Sequence, residues 1–238
     1  MRKIVITGAS SQIGAAIAEK VVAEGDQVIL QYFRNQTACL PLKERIGEKC
    51  ILASANFADR SALEEFCKRL GEVDTVINAH AVTVTGLFPA LTVEDIRRMI
   101  EVNIVATVMI CRAVIPFMVH RRAGCIVNIS SVAAARGNRG QSVYAGTKGF
   151  IESFSRAMAA EYGSRGIRIN CVAPGPIEAG SLRELLSLAP EEVKQSVAGN
   201  RLGTPGDVAS AVAFLCDSGA GFINGQTLHV DGGFMKGV

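Results

Sequence analysis

The sequence has no tryptophan, only three tyrosines and three histidines, and no Cys-x-x-Cys pair among its seven cysteines. Zinc sites are normally built from cysteine and histidine at short, regular spacings, so the sequence contains no zinc motif of that kind. An odd number of cysteines in apolar segments predicts reduced thiols in the cytoplasm and not a disulfide framework. We therefore expect neither a metal site nor disulfide bonds.

Long apolar runs and concentrated charge are also missing. No stretch offers the ~18 or more uninterrupted apolar residues that a membrane-spanning helix needs, and the first residues reach Gly8 too early for a secretory signal. The net charge of +3 is spread along the chain, which indicates neither nucleic acid nor a membrane surface as a partner. These features are typical of a cytoplasmic protein.

The sequence does contain short β-rich runs that alternate with longer helical patterns. The runs cover residues 3–7, 27–32, 50–54, 75–78, 125–130, 167–172 and 227–230, and the helix candidates cover residues 14–24, 38–46, 61–70, 92–120, 143–162 and 205–216. The runs are nearly continuous in valine, isoleucine and leucine, as parallel strands covered on both faces should be. The alternation predicts βαβ units in an α/β protein, with residues 1–238 as a single domain.

Residues 176–202 differ from the rest because they follow a Pro-Gly-Pro turn and are flanked by turn residues at both ends. Ligands of open α/β sheets bind at the carboxyl ends of the strands, where such a segment could act as a lid. An ordinary pair of surface helices is an equally good interpretation.

A glycine-containing turn joins the first predicted strand to the first helix. Glycine lets the backbone turn tightly and approach a pyrophosphate, and free N–H groups at a helix N-terminus attract its charge. The turn therefore predicts a dinucleotide site, and a simple Gly-Ser turn is the alternative. The cofactor-binding candidates are Gly8, Ser10, Ser11, Gln12, Ile13 and Gly14.

The end of the second predicted strand indicates which dinucleotide binds. An acidic residue there usually binds the ribose 2′-hydroxyl of NAD, whereas an arginine suits the 2′-phosphate of NADP. Here the strand ends without an acidic residue, and Arg34 and Asn35 follow it. This favours NADP(H), although Arg34 could equally be a solvent-facing charge of a loop.

Three residues predict proton-transfer chemistry. Tyr144 and Lys148 are four residues apart and so lie on one face of a helix, and Ser131 follows the fifth strand. Reduction of a ketone places negative charge on its oxygen, so a nearby acid must supply a proton. We expect Lys148 and the positively charged oxidised nicotinamide to lower the pKa of Tyr144, and Ser131 to donate a hydrogen bond to the oxyanion. Taken singly, a Tyr/Lys pair at this spacing is usually helix surface, and a serine after a strand is usually a turn.

The sequence resembles the short-chain dehydrogenase/reductase family from end to end. Ser131, followed thirteen residues later by Tyr144 and then by Lys148, matches the family's Ser and Tyr-x3-Lys signature, and Gly8 and Gly14 match its phosphate loop. Gln12 stands where the family usually has glycine, and a side chain there would penalise a left-handed backbone. The resemblance implies a single-domain Rossmann-type doubly wound fold, with a seven-stranded, mostly parallel sheet in the order 3-2-1-4-5-6-7 and helices on both faces.

The resemblance also implies roles for further residues. Asn103 would anchor a path of water and protons to Lys148. His80 lies in a segment that departs from the family's Asn-Asn-Ala-Gly motif, and we interpret it as a packing residue and not a catalytic one. The further positions that the family uses to hold the cofactor correspond here to Asn56, Phe57, Asn78, Tyr144, Lys148, Pro174, Gly175 and Ile177, with Ala179 where the family often has threonine.

Within the family, the sequence is most similar to β-ketoacyl-acyl-carrier-protein reductases, which implies NADPH-dependent reduction of a 3-oxoacyl thioester. The resemblance implies that Arg122 and Arg165 of this chain hold the acidic carrier protein near the mouth of the active site. An equally good interpretation is that both arginines are ordinary surface charges in contact with water. A reductase for another secondary alcohol or a polyketide, and a nucleotide-binding homologue without turnover, stay open. The resemblance further implies a homotetramer, and a dimer is the alternative.

Overall fold

The computed structural model describes residues 1–179 and 195–235 of the chain. Its strands are β1 (Lys3–Thr7), β2 (Gln27–Tyr32), β3 (Cys50–Ser54), β4 (Thr75–Asn78), β5 (Gly124–Ile129), β6 (Ile167–Pro174) and β7 (Thr227–Val230). They form one seven-stranded sheet in the order β3-β2-β1-β4-β5-β6-β7, which confirms the predicted order. Every neighbouring pair is parallel, so the sheet is parallel throughout and not merely for the most part.

The helices begin and end close to their predicted positions. They are α1 (Gln12–Val21), α2 (Leu40–Ile46), α3 (Arg60–Lys68), α4 (Val93–Ile100), α5 (Ala106–Arg121), α6 (Ser142–Tyr162) and α7 (Pro205–Cys216). The predicted helix over residues 92–120 is wrong in one respect, because a π-helical turn, Glu101–Val105, separates α4 from α5. One-turn π-helices are rare and frequently occur at functional sites.

Two apolar clusters show that helices cover both faces of the sheet. Alternate residues of a strand face opposite sides, and accordingly Ile4 and Ile6 of β1 pack with residues of α1, α2 and α7. Val5, between them, belongs to a second cluster with residues of α3, α5 and α6. The two helical layers hold the carboxyl ends of the strands together at one edge of the sheet.

Predicted cofactor-binding and catalytic residues lie at this carboxyl edge. Gly8 follows β1, Arg34 follows β2, Asn56 follows β3, Ser131 follows β5 and Gly175 follows β6. The suggested lid at 176–202 lies largely outside the described residues, so that suggestion stays a prediction.

One segment, Val93–Arg121, is long and apolar enough to cross a membrane when judged by length and composition alone. Its apolar residues are used inside the protein, because Ile110, Val114 and Met118 are fully buried in the cluster against the sheet. We interpret the segment as a core helix.

Candidate active site

The turn after β1 is shaped by two glycines that cannot carry a side chain. Gly8 has a φ of +66°, and a Cβ atom there would lie 2.8 Å from the Ala79 carbonyl oxygen; a Cβ on Gly14 would overlap the Gly8 carbonyl. Ser11 caps α1: its hydroxyl accepts a bond from the Gly14 N–H at 3.0 Å and donates to the Gly8 carbonyl at 2.8 Å. The turn thus brings bare backbone to the N-terminus of a helix, as a phosphate site requires.

Gln12 does not distort this turn. It is the first residue of α1, and among the described residues only Arg122 and Asn200 combine a side chain with a positive φ. The left-handed strain considered for position 12 is therefore absent, because a helical backbone suits any L residue. Ser10 lies partly buried in the turn, and Ile13, the second residue of α1, packs against the core.

Gln31, which the sequence analysis did not single out, braces the same turn. Its side chain is buried in β2; Oε1 accepts a hydrogen bond from the Gly8 N–H at 2.9 Å, and Nε2 donates to the Ala55 carbonyl at 2.8 Å. The only signal in the sequence is a glutamine inside an otherwise apolar strand.

The residues predicted to border the adenosine lie at the ends of β2 and β3. Arg34 is exposed, with its guanidinium 4.9 Å from the centre of the Phe33 ring. The side-chain oxygens of Asn35 and Asn56 accept bonds from the Ala38 and Ala58 N–H groups and so shape their own turns. Phe57 is buried and is therefore part of the wall beneath these turns.

Ser131, Tyr144 and Lys148 come together at the carboxyl edge. The Ser131 side chain lies close enough to the Tyr144 hydroxyl to lower its pKa, and the Lys148 Nζ lies 5.8 Å from the centre of the Tyr144 ring. Residues 135–141 return the chain from Ser131 to α6, as the sequence predicted. The site therefore contains an acid, a second hydroxyl donor and a cation within one small space.

Burial controls the protonation of this group. It raises the pKa of Tyr144, and the neighbouring Ser131 side chain offsets that rise only in part. Burial also lowers the pKa of Lys148 to about 8, and the Lys148 Nζ donates to the Ile129 carbonyl at 2.7 Å. In the protein without cofactor the tyrosine pKa is therefore raised and not lowered, because desolvation of the phenol outweighs the effect of Ser131. The lowering expected from the oxidised nicotinamide stays a prediction.

Known proteins are similar to this chain in fold and in sequence. A family model described as Enoyl-(Acyl carrier protein) reductase matches residues 8–235. Nodulation protein G of Rhizobium meliloti (strain 1021) is 37% identical over 239 residues, which cover 98% of this chain and 96% of that protein. The 3-oxoacyl-[acyl-carrier-protein] reductase FabG of Escherichia coli (strain K12) is 35% identical over 232 residues, covering 96% of this chain and 95% of that reductase.

This chain belongs to the short-chain dehydrogenase/reductase family. A solved structure of a candidate NAD(P) dependent gluconate 5-dehydrogenase from Beutenbergia cavernae, with NADP bound at low occupancy, matches with a TM-score of 0.93 and 26% identity, covering 99% of this chain and 97% of that one. As a member of the family, the protein is an oxidoreductase that acts on CH–OH groups with a nicotinamide dinucleotide.

Two observations on residues of this chain show that the site fits such a dinucleotide. Gly8 and Gly14 leave backbone exposed where a Cβ would collide with neighbouring chain. Asn78 donates from Nδ2 to the Asn128 Oδ1 at 2.8 Å, while its own Oδ1 is buried without a partner among the described residues. A buried acceptor of this kind is normally paired, so it indicates a donor from outside the chain.

The family's catalytic asparagine corresponds to Asn103, which is buried in the π-helical turn. Its Oδ1 accepts from the Val82 N–H at 2.8 Å, and its Nδ2 donates to the Val82 carbonyl at 2.9 Å and to the Thr147 Oγ1 at 3.1 Å. Because Thr147 precedes Lys148 on α6, Asn103 fixes the segment after β4 to the catalytic helix.

The family's carboxamide turn is built from Pro174, Gly175 and Ile177. Gly175 donates its N–H to the Val230 carbonyl at 3.0 Å, and a Cβ there would lie 2.6 Å from the Asp231 Cβ. Ile177 is buried beneath the turn, and Ala179 packs against the same core.

The two candidate docking arginines lie away from this site. Arg122 and Arg165 directly precede β5 and β6, whereas Ser131 follows β5, so about 20 Å of strand separates them from it. The Arg122 guanidinium donates to the Ser164 carbonyl at 3.0 Å. Within one chain the arginines do not border the active site, and carrier-protein docking by them stays a prediction.

Proposed function

We propose that this protein uses NADPH to reduce the ketone of a 3-oxoacyl thioester, carried by an acyl carrier protein, to the 3-hydroxyacyl form. The observation that carries the proposal is the grouping of Ser131, Tyr144 and Lys148 at the carboxyl edge, with the Lys148 Nζ 5.8 Å from the centre of the Tyr144 ring. Its substrate class is supported by relatives named 3-oxoacyl-[acyl-carrier-protein] reductase that align over nearly the whole chain.

The side chains divide the proton chemistry among them. The bound cofactor supplies the hydride. Tyr144 gives its hydroxyl proton to the carbonyl oxygen, and burial keeps this phenol protonated at neutral pH, as an acid in the reductive direction must be. Ser131 donates a hydrogen bond to the same oxygen, and Lys148 places a positive charge near the tyrosinate that forms.

Arg34 is the basis for choosing NADPH. Its exposed guanidinium follows β2, where no carboxylate competes for the ribose. An arginine binds a phosphate through two parallel hydrogen bonds, so Arg34 would hold the 2′-phosphate, and the backbone after β1 would hold the pyrophosphate.

The test follows the loss of reduced-nicotinamide absorbance with acetoacetyl thioester as substrate and with NADPH or NADH in parallel. We expect turnover with NADPH and its loss in Tyr144→Phe. Arg34→Ala should weaken NADPH binding about tenfold to a hundredfold and leave NADH binding unchanged. The control is Arg69→Ala, since Arg69 lies on the surface in a pair with Glu65. Equal use of both cofactors by the wild type would contradict the assignment of Arg34.

A different secondary alcohol is the second candidate, and the 0.93 TM-score to the gluconate dehydrogenase structure supports including it. Gluconate with NADP, run in the same assay, separates the two substrates. Turnover of gluconate without turnover of the thioester would replace the substrate class and keep the catalytic residues. NADPH binding without turnover of either substrate would instead support a nucleotide-binding homologue.

We also propose that the enzyme works in the cytoplasm as a homotetramer. Large apolar side chains are exposed on the two long helices, Phe117 on α5 and Phe150 on α6, and in the C-terminal part of the chain, at Phe214, Phe222 and Leu228. Exposed apolar patches of this kind mark association surfaces. Sedimentation equilibrium should give four chains for the wild type and fewer for Phe150→Glu; a monomeric wild type would refute the proposal.

A further inference from the structure

His80 is buried between the first strand and the π-helical turn. Its Nδ1 lies 2.6 Å from the Thr7 hydroxyl, and its Nε2 lies 3.3 Å from the Thr107 hydroxyl. The Phe57 ring packs edge-on against it, with 4.9 Å between ring centres. The imidazole therefore has a polar partner at each nitrogen and an aromatic wall at its side.

The neighbouring hydrogen bonds favour one tautomer. The Thr107 hydroxyl donates to the Asn103 carbonyl at 3.0 Å, which leaves its oxygen to accept from the imidazole. The Thr7 hydroxyl also has a carbonyl neighbour, Ile77, but at 3.4 Å, so its 2.6 Å contact with Nδ1 is the better bond for its hydrogen. This places the ring hydrogen on Nε2 and leaves Nδ1 as the acceptor for the Thr7 hydroxyl.

The two threonine partners of His80 connect it to different parts of the site. Thr7 precedes Gly8, where a Cβ would lie 2.8 Å from the His80 backbone, so the cofactor turn and His80 are in direct contact. At the other end, Thr107 is bonded to Asn103, whose side chain is bonded to Thr147 on the catalytic helix.

We propose that His80 is a positioning residue that joins the turn after β1 to the π-helical turn that contains Asn103. The backbone that holds the dinucleotide is thereby fixed to the backbone that aligns α6, the helix that carries Tyr144 and Lys148. The part of this proposal that concerns catalysis, through Thr107 and Asn103, rests on the proposed function. The part that concerns the bond between His80 and Thr7 requires only that the protein binds the cofactor. His80 touches neither reacting atom; it acts through its two threonine partners.

The test uses two variants that each keep one half of the imidazole. In His80→Asn the introduced amide oxygen would stand near the position of Nδ1 and keep the Thr7 bond. In His80→Gln the introduced amide nitrogen would stand near the position of Nε2 and keep the Thr107 bond. We expect His80→Gln to raise the NADPH dissociation constant about tenfold and His80→Asn to lower kcat about tenfold at unchanged NADPH affinity. His80→Ala should show both defects.

A residue that only fills space would give a different result. Both amide variants would then lose thermal stability alike, with NADPH affinity and kcat equal to those of the wild type, and this would overturn the proposal. Nitrogen NMR of the wild-type imidazole gives a readout that needs no activity: we expect hydrogen on Nε2, and hydrogen on Nδ1 would also overturn it. Should the wild type bind NADPH but turn over no substrate, the proposed function fails, while the affinity difference and the tautomer still test His80.

Discussion

The two edges of the sheet use their polar groups in opposite ways. At the amino-terminal edge, charged side chains pair with one another: Arg2 contacts Asp26 at 2.7 Å, and Arg121 contacts Asp74 at 3.0 Å. At the carboxyl edge, the buried Lys148 contacts a carbonyl and not a carboxylate, and the Asn78 Oδ1 is left unpaired among the described residues.

The difference separates stability from function within one sheet. Paired charges at the amino-terminal edge stabilise the chain and leave little for a ligand to bind. Desolvated polar groups at the carboxyl edge lower the stability of the fold, and the reaction requires them, as is general for functional sites. Substitutions at the two edges should therefore have opposite effects on activity and on stability.

The largest effect is expected from Lys148→Met at the carboxyl edge. Activity should fall about 10²- to 10⁴-fold, because the cation beside Tyr144 is lost. The melting temperature should stay equal or rise, since burial lowers the pKa of Lys148 to about 8 and a thioether has no such desolvation cost. Steady-state kinetics and calorimetry on the same preparation check both statements, and a large loss of stability would contradict the comparison.

Asp26→Ala should do the reverse at the amino-terminal edge. Asp26 is buried and accepts bonds from the Arg2 side chain and from the Arg2 and Ala23 N–H groups. Removing it should lower the free energy of unfolding by about 2–4 kcal/mol and leave kcat of the folded enzyme unchanged. Urea titration measures the loss. Glu65→Ala, in an exposed pair with Arg69, is the matched control and should cost less than about 1 kcal/mol.

The stability of the carboxyl edge should depend on pH through His80. Burial and the nearby Lys148 charge lower its pKa from 6.5 to about 3. The unfolded chain therefore binds a proton below pH 6.5 that the folded chain does not, and stability falls as the pH drops from 6.5 towards 3. From pH 7 to pH 5 this loss is about 2 kcal/mol at most. Urea midpoints should fall less for His80→Asn than for the wild type over this interval; equal slopes would show that His80 is not the titrating group.

The smallest effect is expected from Gln31→Met, which keeps the shape of the side chain and removes its two hydrogen bonds to the cofactor turn and to Ala55. The Gly8 N–H would lose its acceptor, and the dissociation constant for NADPH should rise about tenfold. Fluorescence titration of NADPH measures it. If affinity is unchanged, the turn after β1 is held without Gln31.

Local patterns in the sequence predicted most of the sheet. β1, β2, β3, β4 and β7 begin and end at the predicted residues, because each is a short β-rich run bounded by turn residues. β6 extends two residues further, to Pro174, where the missing N–H of proline does not prevent the last residue from pairing. The candidates Ser131, Tyr144 and Lys148 were also recognisable, because Ser131 follows a predicted strand, Tyr144 and Lys148 share one face of a predicted helix, and the three match the family's signature.

Features that depend on contacts between distant segments were not predictable. Gln31 meets Gly8 and Ala55, which lie 23 and 24 residues away along the chain. The π-helical turn has no periodic signature of its own within an apolar helical stretch. The raised pKa of Tyr144 follows from burial, which the spacing of the signature residues does not report.

The π-helical turn Glu101–Val105 sets the rotational phase between the two halves of a long helix. Relative to a regular α-helix it holds one extra residue, and each residue of an α-helix turns the chain by about 100°. If the same residues were wound as a regular α-helix, the extra residue would add one step of rotation and turn α4 by that angle against α5. Met99, now buried, would leave the core, and so the irregularity is what allows both halves to face the protein.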